Sequence, residues 1–174
     1  MKNTGEINTT YNLRLKRLHY VMNNMSEGVF SMRKLSTKKL SEYLFLWTLG
    51  GCLYYFFEVF FRGFSHWSMF ILGGICMVFF TVQGQAVHWE DALWRQVLRC
   101  IIFVTAMEFI TGIIVNKWLH MAVWDYSNQP FQLFGQICLP FMIIFSGLCA
   151  LGIFLGGYLS YWLYGEEKPH YHVL

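Results

Sequence analysis

Two glutamates, Glu58 and Glu108, stand inside long apolar runs of this 174-residue chain. A charge held at the middle of a membrane helix costs about 2.5–3.5 kcal/mol, so such carboxylates persist where they face the protein interior and find a partner. There they can bind a substrate, exchange a proton or lock the fold. Arg62 follows Glu58 by four residues, on the same helical face, which predicts an ion pair. That pair suits a structural anchor near a membrane surface as well as a substrate or proton site, because Arg62 can snorkel to the headgroups while paired. Glu108 has no basic residue at such spacing on its own helix. Gly112 and Asn116 follow it by four and eight residues, giving one stripe of carboxyl, gap and amide. A glycine beside a buried carboxyl admits a neighbouring backbone or a small ligand. Trp124-Asp125-Tyr126-Ser127 comes next, then Gln132, Gly135 and Gln136. Asp125 has a bland use too, as a helix cap or in an Asx-turn. The candidate substrate or proton site is therefore Glu58, Arg62, Glu108, Asn116, Trp124, Asp125 and Tyr126.

Other chemistry is weakly represented. His88, Glu90 and Asp91 share a polar connection, which needs no metal to explain it, and His170 and His172 stand on a C-terminal tail expected to be mobile. Cys52, Cys76, Cys100, Cys138 and Cys149 form no CxxC motif and read as small apolar packing residues. No metal and no cofactor is expected. The sequence contains no G-x-x-x-x-G-K-[ST] phosphate loop, so the chain is not itself an ATPase of that type.

The elements that must position the carboxylates are membrane helices. Hydrophobic residues make up 56% of the chain and charged residues 13%. A soluble fold of this size cannot hide so much apolar surface, whereas lipid removes the need. Hydropathy and length predict four spans: Glu42 to Phe61, Trp67 to about Val82, about Gln96 to Asn116, and Ile137 to about Tyr158. Gly73 and Gly74 suit close helix contact in the second span, and Gly152, Gly156 and Gly157 do so in the fourth, within or between chains. Pro140 falls in the first turn of the last span, where its missing N–H costs little. The fold class is thus all-α, a polytopic membrane protein with a four-helix bundle at 42–164. Residues 1–41 form a basic N-terminal segment, in which Asn12 to Met25 reads either as a short helix on the membrane surface or as a loosely ordered tail, and 165–174 form the C-terminal tail. Arg14, Lys16, Arg17, Arg33, Lys34, Lys38 and Lys39 precede the first span, which predicts cytoplasmic N- and C-termini. Beside a membrane segment, anionic lipid headgroups rather than nucleic acid are the partner for this block. The stripe above Glu108 then faces outward, between spans one and three.

Several of these residues also form a recognisable pattern. Phe57 to Gly63 (FEVFFRG), Glu108-Phe109, Asn116, Trp124-Asp125-Tyr126-Ser127, Pro130-Phe131, Gly135 and Ile137-Cys138-Leu139 together resemble a bacterial family of small multi-span membrane proteins described as ABC-transporter type IV, or CmpB-like. The resemblance covers roughly residues 43–150. The chain departs from the pattern at Phe64 to Ser68, where the family has a Gly-Pro-Tyr and Pro-Ile-Tyr-Gly type of stretch. The resemblance implies a transporter or permease component in the cell membrane, and a separate ATPase subunit if the system is of ABC type. Four spans suit a permease that works as a homo-oligomer or with a partner membrane protein. Two other functions fit the same residues: a membrane-embedded enzyme acting on a lipid or isoprenoid, with the carboxylates as acid and base, and a structural or regulatory partner whose carboxylates lock the bundle.

Overall fold

A computed structural model describes residues 37–87 and 89–172. The surface helix or loose tail expected over Asn12 to Met25, the basic residues up to Lys34, and His88 lie outside the described residues.

Four helices are long and apolar enough to cross a membrane: α1 (Thr37–Arg62), α2 (Trp67–Ala86), α3 (Leu93–Gly112) and α4 (Leu139–Tyr164). A π-helical turn, Ile113–Trp118, extends α3. The chain is an all-α, multi-pass membrane protein, as its hydropathy predicts. Each helix outruns its predicted span by a turn or so at one or both ends. Helix ends carry residues such as Lys38, Gln85 and Arg95, which leave the hydrocarbon yet still form helix readily.

Glycine decides how the helices meet. Gly50 and Gly51 of α1 lie against Gly73, Met77 and Phe70 of α2, and the Gly73 position leaves no room for a Cβ beside Tyr54 and the Gly50 carbonyl. Along α4, Gly152 receives the Phe80 ring, Gly156 the Thr81 hydroxyl, and Gly157 the rings of Trp89 and Tyr171. The small-residue pattern of α4 thus serves contacts within the chain. Phe79 of α2 stacks on Phe103 of α3, ring centres 3.8 Å apart, and closes the third side of α2. These pairings run α2 antiparallel to α1 and α3 and alongside α4. Starts of α1 and α3 share one end of the bundle with the last turns of α2 and α4.

Two connections are more structured than hydropathy suggests. Between α3 and α4, β1 (Gln132–Leu133) pairs antiparallel with β2 (Ile137–Cys138) around Gly135, which takes φ +72. Four non-glycine residues of this connection, His120, Ala122, Phe131 and Phe134, also hold positive φ, so its course is fixed by contacts rather than by local preference. At the opposite end the C-terminal tail, expected mobile, is packed: Pro169 is buried and Tyr171 lies against Trp89 and Phe154. Tyr171 of the tail and Trp89 of the α2–α3 connection pack their rings together, which periodicity cannot forecast.

Gly73→Ala should therefore lower the melting temperature in detergent, by an overpacking cost of about 1–3 kcal/mol. Gly147→Ala, where an added Cβ meets nothing within 4 Å, should leave it unchanged or slightly raised. Equal effects at the two positions would contradict the packing of α1 on α2.

Candidate functional site

Glu108 lies well inside α3 and is only 5% exposed. Its hydrogen-bond partner among the described residues is the Tyr54 hydroxyl of α1, which donates to Oε1 at 3.2 Å. Tyr54 also backs onto Gly73 of α2 and stacks on Phe145 of α4. One phenol thus touches all three other helices. Sequence reading missed Tyr54, because its partner is 54 residues away and an aromatic in a span is ordinarily apolar packing.

Glu58 sits one turn from the end of α1. It accepts from Arg62 Nη1 at 2.9 Å, the pair that its spacing predicts, and from the Ser65 hydroxyl at 2.9 Å. Arg62 has further partners. Its Nη2 donates to the Val123 carbonyl at 2.6 Å, and the guanidinium lies 4.9 Å from the Phe64 ring centre. The stretch Phe64 to Ser68 is thus put to use: Phe64 covers Arg62, Ser65 holds Glu58, and His66 caps α2 through Nδ1, which accepts from Ser68 N at 3.3 Å.

Asn116 occupies the π-helical turn, where the wider winding carries Leu119 N to the Ile114 carbonyl. Its Oδ1 accepts from Val123 N at 2.7 Å and, more weakly, from Trp124 N at 3.4 Å, while its Nδ2 donates to Gln136 Oε1 at 2.7 Å. Trp124 is buried and donates from Nε1 to the Gln136 carbonyl at 3.0 Å. The gap at Gly112 is filled: a Cβ there would meet Gln136 Oε1 and the Trp124 ring. What the stripe of carboxyl, gap and amide accommodates is therefore the side chain of Gln136, not open space.

Asp125 and Tyr126 point to different environments. Asp125 is exposed, and its Oδ1 accepts from Ser127 N at 2.9 Å and Ser127 Oγ at 2.5 Å, the Asx-turn anticipated as its bland use. Those two hydrogen bonds hold its carboxyl below the usual range. Gly135 is glycine here because a Cβ would strike Asp125. Tyr126 is half-buried, stacks 4.6 Å from Phe141, and donates its amide to the Gly135 carbonyl at 2.8 Å. Burial pushes its phenol up, and the neighbouring charges of Glu108 and Glu58 add to that while Arg62 opposes it. Glu108, Glu58 and Arg62 are thus the charged groups that act on Tyr126. Glu58, Arg62, Asn116 and Trp124 are joined through Val123 and Gln136, Glu108 and Tyr126 stand beside that network, and Asp125 stands apart on its turn.

A second buried polar group lies at the opposite end. Gln96 donates to the Asp91 carbonyl and accepts from Gln83, and Arg99 binds both Gln83 (3.0 Å) and Asp91 (2.5 Å). The Arg99 guanidinium holds the Asp91 carboxyl below its usual range. Glu42, fully buried at the start of α1, accepts from Gln85 at 2.7 Å. Among the described residues no three His, Cys, Asp or Glu are grouped to hold a metal ion.

The chain matches the family model described as putative ABC-transporter type IV over residues 45–168, and it belongs to that family. The match takes in all of α2, α3 and α4 and about two thirds of α1, and it ends before Pro169 and Tyr171 of the packed tail. No curated protein and no solved structure matches the chain. Family and fold together make it a multi-pass membrane protein of transporter type.

Asn116→Leu should cost about 1–3 kcal/mol of stability, because the buried Val123 amide and the Gln136 side chain lose their partner. Asp125→Asn keeps an acceptor for Ser127 and should melt within about 0.5 kcal/mol of the parent, the usual range for a surface change. Comparable losses in thermal melts of the two variants would contradict the network.

Proposed function

We propose that this chain is the membrane-spanning permease component of a transport system, with a polar site between α1 and α3 in which Glu108 binds the substrate or a coupling proton. The observation that carries the reading is the pairing of Glu108 with a neutral phenol. A carboxyl 5% exposed has a tyrosine of another helix, not a cation, as its partner. Such a group can change its proton or accept a cationic centre without first breaking an ion pair, and ionisable residues held inside membrane spans commonly mark substrate or proton pathways. Glu58, neutralised by Arg62, and Tyr126 flank it, while Asn116, Trp124 and Asp125 hold the connection that covers it. The membership in a transporter-type family supports the same reading.

The site faces outward and both termini are cytoplasmic, because the basic residues cluster before α1 and are sparse between α3 and α4. The membrane is the cell membrane. A chain without a phosphate loop needs a separate ATPase subunit if the system is driven by ATP, and four spans suit a permease that works as a homo-oligomer or with a second membrane protein. On intact cells an impermeant thiol reagent should label a cysteine placed at Asn128 and spare one at Lys168 until the membrane is opened. The reverse pattern would overturn the orientation.

Glu108→Gln tests the site itself. Glutamine keeps the size and the hydrogen bond from Tyr54 but cannot ionise, so growth complementation or transport should fall at least tenfold while the melting temperature holds. A variant that is fully stable and fully active would end the case for Glu108 as the working group. Lost stability together with lost activity would instead make it a structural anion.

A further inference from the structure

α3 starts without a capping side chain: Ala92 precedes it, and its first amide is satisfied from elsewhere. Leu93 N donates to the His172 carbonyl at 2.7 Å, and Ala92 bridges His172 in parallel. The C-terminal strap that delivers this carbonyl leaves α4 at Gly165, whose φ of +59 reverses the chain, and Glu166 N returns to the Ser160 carbonyl. Pro169 is buried, and Tyr171 donates its hydroxyl to the Ile153 carbonyl at 3.1 Å. Trp89, 1% exposed, lies beneath the strap with its ring in the notches left by Gly84 and Gly157. The strap thus spans from α4 to the start of α3, and Trp89 fills the space between α2 and α4.

Two features oppose this docked state. Trp89 holds φ +58, a left-handed conformation that strains a bulky residue. Trp89 Nε1 and Ser160 Oγ are buried with no hydrogen-bond partner among the described residues. Water would satisfy both, so the strap's contacts are set against a penalty that opening relieves. Segments of this kind open locally at less cost than the whole fold.

We propose that the strap Gly165–His172, together with Trp89, is a plug that closes the end of the bundle opposite Glu58, and that its release is the conformational step that opens the bundle there. The proposal stands on the strap's own contacts and does not depend on the role of Glu108. Its test is the accessibility of Ser160 in the full chain. Ser160→Cys is made together with Cys52→Ser, since Cys52 is the exposed native cysteine. The purified protein is labelled with a water-soluble maleimide and the modification at position 160 is read by peptide mass spectrometry. Labelling should be slow with the strap intact, at least tenfold faster with Tyr171→Ala, and nearly unchanged with Tyr171→Phe, which keeps the ring. Equal rates with and without the Tyr171 ring, in proteins that both melt cooperatively, would overturn the plug. If Tyr171→Ala does not fold, hydrogen exchange in the unsubstituted protein decides the matter. Amides of Leu93 and Glu166 should exchange at least tenfold faster than those at the centre of α3, and exchange of all of them only through global unfolding would overturn the proposal.

Discussion

Hydrocarbon offers no hydrogen bonds, so every polar group carried into it must be matched inside the protein. For Glu108 the match is Tyr54, and the bundle is arranged so that this hydroxyl can arrive. Gly73 lets the α1 backbone come close enough to α2, and Phe145 of α4 supports the phenol from the other side. Removing the carboxyl would leave a buried hydroxyl, and removing the hydroxyl would leave a buried carboxyl. Either loss sets a penalty of about 1–3 kcal/mol against a fold whose total stability is small. The contact is thereby both the reason the four helices share one centre and the reason that centre is chemically unusual.

The same constraint shapes the two ends differently. Near Glu58 the matching is complete: the ion pair, the Val123 carbonyl, Asn116, Gln136 and Trp124 form an unbroken series that holds a connection with several strained residues. Such a series rigidifies, because each member is already committed. At the strap end the matching is incomplete: among the described residues, Trp89 Nε1 and Ser160 Oγ are buried without a hydrogen-bond partner. A rigid end and a releasable end, with one carboxyl between them, are what a protein needs if it exposes an internal group to one side at a time.

Hydropathy made the four spans readable, and the spacing of Glu58 and Arg62 foretold their ion pair, since both signals are local. Glu108 could be recognised as a buried carboxyl from its surroundings in the chain, but Tyr54 could not be recognised as its partner, because nothing in one helix encodes which face of another it will meet. The stripe from Glu108 through Gly112 to Asn116 was readable as a pattern, yet its purpose was not: Gln136, twenty residues beyond Asn116, fills the gap. Asp125 illustrates the opposite case, where the local turn chemistry of an Asp two residues before a Ser sufficed. The packed tail was hidden altogether, since a short polar segment with one Pro and one Tyr carries no period to read.

The claim that one phenol–carboxyl contact couples the helices is tested most directly by a double-mutant cycle on Tyr54→Phe and Glu108→Leu, which removes the acceptor that glutamine would keep, read as thermal stability in detergent. The interaction predicts that the two changes are not additive, with a coupling of about 0.5–3 kcal/mol, as expected for residues in direct contact. Additive losses, with a coupling indistinguishable from zero, would mean that Tyr54 and Glu108 do not meet and that the centre of the bundle is built some other way.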